Sequence, residues 1–129
     1  GNNIMRFLLD VIHYGEKVSE RSISADVEFC CRYIEQQIFQ SVYIADLAAM
    51  INLSESRFKH KFKEEMGIPP NEYILSQKLN KAKELLKNTE ISFTDLAYDL
   101  GFSTSSYFSS VFKKYQGVTP TEYRSKINN

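Results

Sequence analysis

The sequence predicts an all-α chain in which two helix-turn-helix subdomains are joined by a long connecting helix and preceded by an N-terminal amphipathic helix. Three observations carry this. The stretch from Phe62 to Tyr73 returns fifty positions later from Phe112 to Tyr123, with Phe, Lys, Gly, Pro, Glu and Tyr in register, which marks an internal repeat. Upstream, Asp46-Leu47-Ala48 matches Asp95-Leu96-Ala97 at an offset of forty-nine and Phe58 matches Phe108 at fifty, so one residue is inserted between them. Helix-forming residues recur at helical spacing, only five Gly and three Pro interrupt the 129 positions, and no alternation is long enough to compete as a strand.

Ile4, Phe7, Leu8, Val11, Ile12 and Val18 fall at three- and four-residue intervals, predicting an amphipathic helix over residues 4 to 18. Its stripe either packs on this domain or leads towards another one, residues 1–23 being read as helix and linker to a missing regulatory domain. Residues 24–129 form the domain proper. Ser24 caps a helix with Val27, Cys30, Cys31, Ile34 and Ile38 on its inner face.

The first helix-turn-helix unit spans about 42–67. Ile44, Leu47, Ala48 and Ile51 make its first helix, Asn52 tolerates the left-handed turn, Ser54 caps the second helix, Phe58 and Phe62 face inwards, and Gly67 stops it. A connecting helix over 71–87 holds Tyr73, Ile74, Leu75, Leu79, Ala82, Leu85 and Leu86 on one face, with Lys78, Lys81, Lys83 and Lys87 largely elsewhere. Seventeen residues make a stiff spacer of about 25 Å. The second unit spans about 91–117: Ser92 caps, Leu96, Ala97 and Leu100 lead to Gly101 at the turn, and Ser103 or Thr104 opens the helix of Phe108, Val111 and Phe112. Gly117 ends it, and Thr119-Pro120-Thr121-Glu122 is a capping box for a short last helix.

Charge sums to zero, yet residues 1–56 hold four Lys/Arg against eight Asp/Glu and residues 57–129 hold twelve against eight. The basic excess therefore lies in the repeats. Cys30 and Cys31 are adjacent, which disfavours a bridge between them, and no Cys/His spacing suggests a metal. No nucleophile–base pair or phosphate-binding glycine loop accompanies His13 and His60, so an enzyme is not expected and no cofactor is implied. No run has the length of a membrane span or the layout of a signal peptide, so a soluble piece in the reducing cytoplasm is expected. Gly1-Asn2-Asn3 reads as a cloning remnant or the cut end of something longer.

A helix-turn-helix lays its second helix in the DNA major groove, so the exposed positions there should be polar or basic. They are Glu55, Ser56, Arg57, Lys59, His60, Lys61 and Lys63 in the first unit, and Ser105, Ser106, Ser109, Ser110, Lys113 and Lys114 in the second. Lys59 and His60 can reach guanine acceptors, and serine hydroxyls suit bases or phosphate. Lys63, Lys78 and Lys113, with Arg57 and Lys114, are expected on phosphates. The competing reading is a helical interaction module that recruits a protein partner such as RNA polymerase.

From about Ser24 to Ile127 the chain resembles the C-terminal DNA-binding domain of the bacterial AraC/XylS family of transcription regulators. The residues that carry the resemblance are Asp95-Leu96-Ala97, Gly101-Phe102-Ser103, Ser106-Tyr107-Phe108, Val111-Phe112-Lys113-Lys114, Gly117 and Thr119-Pro120-Thr121-Glu122-Tyr123-Arg124. The resemblance implies seven helices, two units in successive major grooves of double-stranded DNA, and a regulatory domain ahead of them through which any dimerisation would occur. It places Ser56, Lys59 and His60 at base-facing positions of the first recognition helix, and Ser105, Ser106, Ser109 and Ser110 at those of the second. Three positions depart from the family pattern: Lys78 for an arginine, Ser110 for a basic residue that is often found there, and Tyr43 for a hydroxyl cap.

Overall fold

The computed structural model describes residues 23–128. The expected helix over 4–18 and the linker after it lie outside the described residues. The seven helices among the described residues are α1 (Ala25–Gln36), α2 (Ile44–Met50), α3 (Glu55–Met66), α4 (Pro70–Asn88), α5 (Phe93–Asp99), α6 (Ser105–Gln116) and α7 (Pro120–Asn128). No strand occurs among the described residues.

Local chemistry explains the boundaries. The Ser24 hydroxyl accepts the Val27 N–H at 3.3 Å, and the Glu65 carboxylate accepts the Ser24 N–H at 2.7 Å, which ties the start of α1 to the end of α3. Burial would raise the Glu65 carboxyl, but the Ser24 N–H and the Lys61 ammonium outweigh it and hold the group below its usual range. α1 ends at Gln36, so Ile38 sits in the turn beyond it, half-buried, rather than on the helix face that the periodicity suggested. α4 begins at Pro70, where the missing N–H costs nothing in a first helical turn.

The two units repeat in detail. Asn52 (φ 59°) and Gly101 (φ 80°) adopt the left-handed conformation at the two turns, where glycine has no Cβ to clash. Directly after them, Leu53 N–H reaches back to Ala48 O, and Phe102 N–H to Ala97 O, both at 2.9 Å. The inserted residue lies in the second turn, since four residues separate α2 from α3 and five separate α5 from α6. Ser54 accepts the Arg57 N–H at 3.2 Å and Thr104 accepts the Tyr107 N–H at 3.0 Å, so Thr104, not Ser103, is the second cap. Tyr43, at the matching position of Ser92, makes no side-chain cap. α3 and α6 both stop at left-handed glycines, Gly67 and Gly117.

Each unit closes its own core. Val27, Ile34, Leu47, Phe58, Phe62 and Tyr73 anchor the first, and Leu79, Leu86, Leu96, Leu100, Phe108 and Phe112 the second. Ring geometry recurs as well: Phe58–Phe62 and Phe108–Phe112 both stand 5.8 Å apart, and Phe62–Tyr73 and Phe112–Tyr123 both 5.5 Å. Each of the four fully buried Phe rings contributes about 1.5–3 kcal/mol by leaving water. α4 serves both cores, its first turns packing in the first and its later turns in the second. Arg124 fastens α7 to it, donating to Leu86 O, Thr89 O and Ile91 O while stacking over Phe93 at 5.1 Å.

Candidate nucleic-acid interface

Burying Phe58, Phe62 and Met66 turns the rest of α3 outwards. Ser56, Lys59, His60 and Lys63 are all exposed and lie at i, i+3, i+4 and i+7, which is one stripe of a helix. Burying Phe108, Val111 and Phe112 does the same to α6, where Ser106, Ser109, Ser110 and Lys113 occupy the identical spacing fifty positions on. Ser106, Ser110, Lys113 and Lys114 are exposed, whereas Ser105 and Ser109 are half-buried beside the inward face. The first stripe is thus cationic and long-reaching, the second short and neutral at its start.

Neighbours restrain some of these groups. His60 Nε2 stands 3.5 Å from the Glu64 carboxylate, both side chains open to water. Lys61 pairs with Glu65 at 3.0 Å, which withdraws it from the stripe and ties it to the α1 start. Lys114 stacks over Tyr115 at 5.4 Å. Arg57 flanks the α3 stripe and Lys63 closes its C-terminal end, and both are exposed. Both second helices also present the free N–H groups of a first turn, a place that favours anions.

One assignment requires correction. Lys78 was expected on a phosphate, but it is 7% exposed and its Nζ donates to Ile38 O at 2.8 Å, Gln40 O at 2.7 Å and Leu100 O at 2.6 Å. An ammonium has three N–H bonds, and all three are occupied. Burial pushes its pKa down to about 8, so the group is still a cation near neutral pH.

Tyr107 lies beside the α6 stripe, and the sequence reading did not single it out as a contact. It is 54% exposed, follows Ser106 on α6, and leans on Phe102 with ring centroids 5.9 Å apart. The signal was its place fifty positions after Arg57, an outward position on the first recognition helix. Cys30 and Cys31 take no part in the interface: burial pushes their thiols up to about 11 and 12, leaving them protonated and inert in the first core. Among the described residues no cluster of His, Cys, Asp or Glu could hold a metal ion, and no helix is long and apolar enough to cross a membrane.

Two capped helix-turn-helix units on a shared helix, each turning a polar stripe outwards, define the class of double helix-turn-helix DNA-binding domains. The family model of a helix-turn-helix domain matches residues 47–126. The Escherichia coli arabinose operon regulatory protein is 35% identical over 108 residues, covering 80% of this chain and 37% of that protein. The C-terminal domain of AraT, a response regulator from Geobacillus stearothermophilus, superposes with a TM-score of 0.76 at 32% identity over 80% of this chain and 86% of that one. The DNA-binding domain of AdpA, solved with a target DNA, has the same fold, with a TM-score of 0.76 at 21% identity over 80% of this chain and 93% of that one. The chain belongs to the AraC/XylS-type helix-turn-helix family of transcription regulators. It spans 37% of the length of the arabinose regulator.

Proposed function

We propose that the chain reads a bipartite, non-palindromic site in double-stranded DNA, with α3 and α6 in successive major grooves on one face of the duplex, and so directs a longer regulator to its promoter. The observation that carries this is the polar stripe written twice at one spacing, on two helices held by a single 19-residue helix. That helix is about 28 Å long, a span suited to grooves about 34 Å, or 10 to 10.5 base pairs, apart.

Within this reading Ser56, Lys59 and His60 face bases in the first groove. Lys59 donates to guanine O6 or N7, and His60 donates or accepts according to its protonation. Ser105, Ser106, Ser109 and Ser110 face the second groove, where short hydroxyls discriminate weakly and duplex shape carries part of the readout. Arg57, Lys63, Lys113 and Lys114 hold phosphates, which position the helices without reading sequence.

Geometry provides the test. Inserting five base pairs between the two elements turns them to opposite faces of the duplex, and specific binding should vanish in an electrophoretic or anisotropy titration. Binding that survives the insertion would mean that only one unit engages DNA and would overturn the two-groove arrangement.

A further inference from the structure

We propose that the Lys78 ammonium is a positioning group that locks the two helix-turn-helix units at one mutual orientation, and thereby sets the spacing of DNA elements the chain accepts. The inference rests on the two-groove reading. It follows from where the three carbonyls come from. Ile38 and Gln40 belong to the loop between α1 and α2, in the first unit, while Leu100 ends the first helix of the second unit's helix-turn-helix. Lys78 rises from α4 at the boundary of the cores: Ile74 is the last core residue of the first and Leu79 the first of the second. One side chain therefore joins its own helix to two segments that are 22 to 40 residues away in sequence.

The backbone around it is closed to adjustment. A Cβ on Gly101 would stand 3.2 Å from both the carbonyl carbon and oxygen of Gln40 and 3.4 Å from Lys78 Nζ, so the turn of the second unit presses directly on the loop of the first. That turn leads within three residues to Thr104, the cap of α6. Whatever holds Leu100 and Gly101 thus aims the second recognition helix relative to the first.

Packing alone does not call for a lysine here. No carboxylate among the described residues pairs with it, and a buried cation without a counter-ion is costly, whereas an apolar side chain of similar volume fills such a space more cheaply. What the ammonium adds is direction: three donors that meet three carbonyls in only one arrangement of the two units.

The test uses the full chain and a series of duplexes in which the two selected elements are separated by spacings from two base pairs shorter to two longer than the optimum. Wild-type protein should show a sharp optimum. Lys78→Met should lose about tenfold at the optimum and less than about twofold at the neighbouring spacings, flattening the profile, while the base preference within each element, determined by selection, stays unchanged. Lys78→Gln, which keeps two N–H donors without the charge, should fall between them, and circular dichroism melting verifies that each variant is folded. If Lys78→Met does not fold, the Lys78→Gln profile decides. A folded variant with a profile as sharp as wild type would overturn the proposal and leave the two-groove reading intact. A flat wild-type profile would overturn the two-groove reading, and the proposal with it.

Discussion

Lys59 and Lys113 lie on matching stripes of α3 and α6, four residues apart in repeat register, and that offset separates their work. Lys59 sits in the second turn of its helix, where a side chain meets base edges, whereas Lys113 lies a turn further on, towards the groove edge and the phosphates. Lys59→Ala should relax preference at one or two positions of the site and cost about 1 to 3 kcal/mol on cognate DNA, read by selection and anisotropy. Lys113→Ala should weaken binding to all sequences alike and lower the slope of log affinity against log salt by about one. An unchanged selected motif in Lys59→Ala would refute the base-reading role. A second residue-scale expectation concerns stability. Gln116 is 6% exposed and its Oε1 has no hydrogen-bond partner among the described residues, while fifty positions earlier the same inward site holds Met66. Gln116→Met should therefore stabilise the chain by about 1 kcal/mol, measurable by urea unfolding. A loss of stability would show that the amide is satisfied in solution.

At the scale of elements, the two helix-turn-helix units differ by one residue, and the insertion falls in the turn that precedes α6. Thr104 takes over the cap because the longer turn moves the first helical N–H groups one position on, beyond the reach of Ser103. Thr104→Ala should cost about 1 kcal/mol and Ser103→Ala less than about 0.5 kcal/mol, in thermal or denaturant melts. Equal costs would mean that the cap is shared. Ile38 shows how a helical period overruns its element: it lies four residues after Ile34, on the apolar face of α1, but Gln37 already has non-helical backbone angles and the chain turns away. Nothing in local spacing distinguishes a helix that continues from one that stops before the last apolar residue in its period.

For the whole molecule, two cores of modest size share a helix but no buried cluster, and this shapes how the chain should come apart. Phe108→Ala removes a fully buried ring from the second core and should cost about 3 to 5 kcal/mol. Native-state hydrogen exchange should then show α5 and α6 losing protection while α1 and α3 keep theirs, because opening is confined to the unit that lost its ring. Uniform loss across all helices would show that the units unfold as one. The sequence by itself determined the repeat, the helices of the domain, their caps except the choice between Ser103 and Thr104, the left-handed turns and the outward stripes of α3 and α6. Apart from the repeat, which shows as matches about fifty positions apart, each of these depends on residues within a few positions of one another, where helical periodicity and capping chemistry act. The fate of Lys78 was decided only by tertiary structure. The sequence set it largely off the apolar face of α4 and expected it on phosphate, although Ile74 and Ala82 stand four residues to either side of it, because a lysine can bend its ammonium out to solvent. Only the docking of two loops that are distant in sequence brings three carbonyls to its ammonium, and long-range docking of that kind leaves no local pattern to read.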